Sequence, residues 1–82
     1  MPKDKIDDLL EQREQVYGDK ITTHARIAEV WSGICGHPIN GQQVALMMAG
    51  LKLVRASISP DYSDSYDDIQ GYTRIAQEIS EA

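Results

Sequence analysis

Apolar residues recur along the chain at intervals of three and four, which is the spacing of helices with one buried face. Ile6, Leu9, Leu10, Arg13, Val16 and Tyr17 keep this period and predict a first helix over 3–16. Pro2 precedes it, and Asp4, Asp7 and Asp8 suit its positive end. Gly18-Asp19 then breaks the pattern. Ile27, Val30, Trp31 and Ile34 predict a second helix over about 22–34, capped by Thr22 or Thr23 and stopped near Gly36 and Pro38. Asn40 followed by Gln43 has the form of a capping box and starts a third helix. Its apolar surface is expected from Val44, Met47, Met48, Leu51, Val54 and Ile58, with Met47 and Met48 filling core. Gly50 lowers helix propensity there, and a close helix crossing would compensate. Residues 57–63, centred on Pro60, read as a turn. Tyr62, Tyr66, Ile69, Tyr72, Ile75 or Ala76, and Ile79 then give the strongest period in the chain, a fourth helix over 63–80. Nothing alternates like a β-hairpin. Short connections favour antiparallel neighbours, so the expected fold is all-α, a compact antiparallel bundle of about four helices in one domain over residues 1–82.

A chain of 82 residues buries only a modest core and gains from a partner subunit. An exposed apolar seam sealing a homodimer is therefore expected. Cys35 is the single cysteine, so no intramolecular disulfide or cysteine-rich zinc site can form, and a reducing, cytoplasmic setting is the expected default. No secretory signal is visible in residues 1–20, and the most apolar stretch, 44–54, is short and contains Lys52, which argues against a membrane span.

The net charge of −5 is unevenly placed. Residues 1–60 carry seven bases and seven acids, whereas residues 61–82 carry six acids against Arg74 alone. No basic stripe exists for a phosphate backbone, which speaks against general nucleic-acid binding. A phosphate ligand bridged by a metal stays open, because a bound cation reverses the local charge logic.

Two charged pairs flank the last turn. Lys52 and Arg55 share one helix face, and Asp64 and Asp68 share another. If the helices fold back on each other, bases and carboxylates meet, either as a structural ion-pair network or as an anion or metal site. His24 lies near a helix start, where the dipole disfavours its charged form and suits a neutral donor or ligand. Asp19, in the tight turn Tyr17-Gly18-Asp19, either caps the next helix or orients His24. Tyr62, Tyr66 and Tyr72 suit packing with a polar edge, and Gly71 beside Tyr72 allows a close approach. No phosphate-cradling glycine loop, zincin pattern or calcium loop is present.

Taken in order, Tyr17-Gly18-Asp19, His24-x-Arg26, Lys52-x-x-Arg55, Asp61, Asp64-x-x-x-Asp68-Ile69 and Gly71-Tyr72 resemble a small phage and prophage domain family of unassigned function. That family is distantly similar to all-helical nucleotide pyrophosphohydrolases of the MazG type and to a nucleotide-modification-associated domain of phages. The resemblance implies a nucleoside triphosphate or modified nucleotide as substrate, with magnesium. The MazG pattern sets a Glu-x-x-Glu helix against a Glu-x-x-Asp helix. Asp64 with Asp67 or Asp68 corresponds to the second half, while Lys52-x-x-Arg55 stands where the paired acids belong.

Three functions follow as alternatives. In a hydrolase, Asp64 and Asp68 hold the metal, Lys52 and Arg55 stabilise phosphate charge, and His24, oriented by Asp19, handles a proton. In a binding module, Tyr17, Lys52, Arg55 and Tyr72 recognise a nucleotide or phosphate without turnover. In an interaction protein, the charges fix the fold and an apolar or tyrosine-rich surface meets a phage or host protein.

Overall fold

In the computed structural model, residues 4–82 are described, except for the side chains of Val16 and Tyr17. The ligand role expected of the Tyr17 side chain thus lies outside the described residues. Four helices follow in order: α1 (Lys5–Tyr17), α2 (Lys20–Cys35), α3 (Gly41–Ile58) and α4 (Ser63–Glu81). They form a compact four-helix bundle, with no strand among the described residues.

Local chemistry sets each boundary. The Asp4 carboxylate accepts the Asp7 N–H at 2.9 Å and caps α1. Gly18, at φ +84°, ends it. Asp19 caps α2 by accepting both the Thr22 N–H and the Thr22 hydroxyl, each at 2.9 Å. The expected start near Thr22 is therefore late by two residues, and the cap expected at Thr22 or Thr23 falls at Asp19: a carboxylate outcompetes the threonine hydroxyls as acceptor, and Thr22 becomes a donor. Gly36 closes α2 in the left-handed region at φ +64°. Ser32 then holds the turn, accepting the Ile39 N–H at 2.8 Å while its own hydroxyl sits 2.7 Å from the Ala28 carbonyl. The capping box of α3 is complete: Asn40 accepts the Gln43 N–H at 2.8 Å, and Gln43 accepts the Asn40 N–H at 2.9 Å. The Tyr66 hydroxyl donates to the Pro60 carbonyl at 2.7 Å and pins the turn into α4.

The core gathers Ile6 and Leu10 of α1, Ala45 of α3, and Ile75 and Ala76 of α4, with Tyr72 and Ile79 packed against them. The pairing of α3 with α4 is the most extensive in the bundle. It is made through small residues, because Ala45, Ala49 and Ala56 are the buried positions of α3 along with Val44. This corrects the expected apolar face. Met47, Leu51, Val54 and Ile58 are exposed, and Met48 is only half-buried. Apolar residues surround α3, so periodicity does not choose a face. The alanine face packs because it lets α4 approach closely. Similarly, Val30 and Ile34 of α2 are exposed, while Ala28 and His24 are buried. Gly50 meets no close crossing, since a Cβ there would have open space around it. The close approaches lie elsewhere. A Cβ on Gly41 would come within 3.3 Å of the Ala25 nitrogen, and one on Gly71 within 3.8 Å of Leu10.

Among the described residues, no helix is long and apolar enough to cross a membrane.

Candidate functional site

Ion pairs lace α4 to the other three helices. Lys5 of α1 reaches Asp67 at 2.7 Å. Arg74 bonds Asp7 and lies 3.4 Å from Asp4. Lys20 of α2 bridges Glu78 at 2.9 Å and Glu14 at 3.4 Å. Asp68 stands between α1 and α3: its Oδ1 accepts from Arg13 at 3.1 Å, and its Oδ2 lies 2.9 Å from the Lys52 ammonium. Both oxygens of Asp68 are thus committed to cations.

The expected meeting of two bases with two acids is therefore half realised. Lys52 and Asp68 pair, but Arg55 makes no ion pair among the described residues and stays exposed. Asp64 is exposed too, and its hydrogen bond with Tyr62 raises the phenol above its ordinary pKa. Arg13 takes the place foreseen for Arg55. The signal for it is visible in the chain, because Arg13 is a charged residue on the apolar stripe of α1. As for metal donors, no group of three or more His, Cys, Asp or Glu side chains is placed so that it could hold a metal ion among the described residues.

His24 is 7% exposed, at the inner side of α2. Its Nδ1 lies 2.7 Å from the Lys20 carbonyl oxygen. A carbonyl only accepts, so Nδ1 carries the proton, and in the neutral ring Nε2 is left as an acceptor. Asp19 caps α2 through its Oδ2, where the Thr22 N–H holds it below the usual carboxylate range, and it is the Lys20 carbonyl that orients His24. Tyr72 of α4 faces the imidazole edge-on, with ring centroids 6.3 Å apart and planes at 65°.

His24 and Tyr72 line a pocket of about 250 Å³ to which all four helices contribute. Leu9 and Leu10 of α1, Ile27 of α2, Met48 of α3 and Ile75 of α4 supply apolar walls. Gly71 keeps the floor open beside Leu10. Charged side chains also line it: Arg13, Glu14, Lys20 and Asp68. Of the expected site residues, His24, Tyr72 and Asp68 come together here, while Lys52 and Arg55 line a second hollow with Asp64 and Tyr62 on the far side of Asp68. Asp68 lines both hollows and connects them. A third, acidic groove gathers Asp8, Asp64, Asp67 and Asp68 with Lys5 and Arg13.

Comparison with known proteins finds a phage relative and a family of unassigned function. Over 69 residues, 83% of this chain, the sequence is 35% identical to the Gene 55 protein of Mycobacterium phage L5. The match takes in 44% of that protein, so the chain spans less than half the length of this relative. No solved structure matches the chain. A family model matches residues 4–80, nearly all of the sequence. On that match the chain belongs to the family described as a domain of unknown function, DUF6378.

Proposed function

We propose that this chain is a phage or prophage accessory module that binds a nucleoside phosphate without turning it over. The observation that carries the reading is the pocket shared by His24 and Tyr72, which has apolar walls and cationic side chains among its lining. Such a site suits a ligand with a flat, weakly polar body and an anionic tail. A heterocyclic base would lie between the aliphatic side chains and the Tyr72 ring, and Nε2 of neutral His24 would accept from an amino or imino group of the base. Arg13 and Lys20 would hold the phosphate. Each already leans on carboxylates, so an incoming phosphate would share these cations rather than neutralise free ones. The phage origin of the Gene 55 relative supports the setting.

A MazG-type, magnesium-dependent pyrophosphohydrolase is the competing reading. The carboxylates favour binding over hydrolysis. Asp68 is committed to Arg13 and Lys52 through both oxygens, whereas magnesium takes near-octahedral oxygen ligation. The preceding helix offers Lys52 and Arg55 where a second acidic pair is needed. These donors do not fit a dedicated magnesium site.

Thermal melting with ATP, GTP, CTP, UTP and inorganic phosphate, each with and without magnesium, tests the reading. A nucleoside triphosphate is expected to raise Tm by several degrees without magnesium, by mass action on the folded state. Tyr72→Leu or Arg13→Gln should abolish the shift, and no phosphate or pyrophosphate should be released on prolonged incubation. A panel without any shift overturns the binding site. Magnesium-dependent product release moves the function to the hydrolase.

A further inference from the structure

The outward face of α3 carries an apolar stripe from Met47 to Ile58. Met47, Leu51, Val54 and Ile58 follow the 4-3-4 spacing of a helix–helix seam, flanked by Leu46 and Leu53. None of these six is buried, and Ile58 is 75% exposed. On the neighbouring α2, Val30 and Ile34 are also exposed, Ile34 at 77%. The cost is visible inside: Val44 is the single large side chain fully buried among the described residues. The protein therefore places most of the large aliphatic residues of its most apolar helix in water. A monomer rarely leaves such a stripe uncovered.

We propose that a second copy of this chain covers the α3 face, with the two α3 helices packed antiparallel about a two-fold axis. Area supports this occupant. The six side chains of α3 expose on the order of 600 Å², the larger part of the roughly 800 Å² that each partner buries in a standard stable interface. Charge supports it as well. An isologous interface sets a patch against itself, so a charged face would oppose like with like. No acidic residue occurs between 41 and 60, and Lys52 is turned inward to Asp68. Arg55 is the remaining cation of α3. With the seam centred between Lys52 and Leu53, antiparallel packing staggers the two Arg55 residues by about 7.5 Å along the helix axis, so neither opposes its own counterpart.

Sedimentation or light scattering of the full chain between about 1 and 100 µM reads the outcome. A mass twice the 9.2 kDa of the chain is expected. Leu51→Glu with Val54→Glu should yield a monomer that keeps its helical circular dichroism. Leu51→Ala is the second variant, which guards against unfolding by the two added charges. It removes seam area without adding charge, and should raise the dimer dissociation constant on the order of tenfold. A wild-type monomer throughout the range overturns the proposal, and so does a dimer whose dissociation constant Leu51→Ala leaves unchanged. Nucleotide binding in the pocket does not depend on this face, so a monomer that still responds to nucleotide would refute the dimer alone.

Discussion

The Lys52 ammonium and the Asp68 carboxylate meet at 2.9 Å with side chains only 17% and 12% exposed, and Arg13 holds the other carboxylate oxygen. Two cations share one acid at the junction of α1, α3 and α4. Removing a single partner from such a cluster costs more than the cluster contributes as a whole, because a poorly hydrated charge is left behind. Asp68→Ala strands both cations and should lower stability by about 3 kcal/mol in urea denaturation. Lys52→Met should cost only about 1 kcal/mol, since the aliphatic stem is retained and Arg13 still pairs with Asp68. Equal losses for the two variants would show that Asp68 is not the shared centre.

This junction also shows where sequence reading reaches its limit. The turn at Pro60 makes α3 and α4 neighbours, so a base–acid contact across it is foreseeable. The contribution of α1 is not, because Arg13 and Asp68 are 55 positions apart and no local rule links them. Caps were legible where the acceptor was unambiguous, as at Asn40, and displaced where Asp19 competed with Thr22 and Thr23. The face of α3 was illegible for a different reason. Alanine and leucine are both apolar, and only the partner helix decides whether close approach or large side chains win. Of the candidate site, His24, Tyr72 and Asp68 do share a pocket, but the cations lining it beside them are Arg13 and Lys20. Nothing near Lys20 in the chain distinguishes it from a solvated lysine.

Asp19 and His24 should separate in mutagenesis. The Asp19 carboxylate bonds the Thr22 N–H and hydroxyl, while His24 is held by the Lys20 carbonyl. Asp19→Ala should lower Tm by about 5 °C through the lost cap, and Asp19→Asn, which still caps, should recover most of it. Nucleotide response should survive in both folded variants. Loss of binding in Asp19→Asn at unchanged Tm would place Asp19 in the site after all.

Stability should fall at both extremes of pH for identifiable reasons. Asp4 and Asp19 are held below their ordinary value of 3.8 by the amide hydrogen bonds of Asp7 and Thr22. Groups depressed in the folded state stabilise it above their unfolded pKa, and that contribution is lost as pH falls from about 4 through the folded values. Lys5 and Lys20 are raised above 10.5 by their bonds to Asp67 and Glu78. Their contribution is complete below 10.5 and is lost as pH rises through the folded values. Tyr62, raised from 10.0 by Asp64, adds to the alkaline loss. Melting curves across pH should show Asp19→Asn weakening the acid limb and Lys20→Met the alkaline limb. Added salt should reduce the lysine effects, because Lys5 and Lys20 reach their partners near the surface. An alkaline limb unchanged in Lys20→Met would show that its bridge to Glu78 contributes nothing to folding.

Gly41 and Gly71 should respond to alanine with opposite signs. Both lie within helices, where alanine is favoured over glycine by about 1 kcal/mol in an interior position. At Gly71 the added methyl would sit 3.8 Å from the Leu10 side chain, an ordinary packing distance, so Gly71→Ala should keep the propensity gain and raise Tm by about 5 °C. At Gly41 the methyl would lie 3.3 Å from the backbone nitrogen of Ala25 and 3.4 Å from the backbone carbon of His24. Backbone atoms of a packed helix cannot turn aside as a leucine methyl can. Position 41 also begins its helix, where the propensity gain is smaller. Gly41→Ala should therefore lower Tm and push α3 away from the turn of α2 that carries His24, weakening the pocket along with the fold. Stabilisation by both substitutions would show that α2 and α3 are not in the close contact that sets His24 in place.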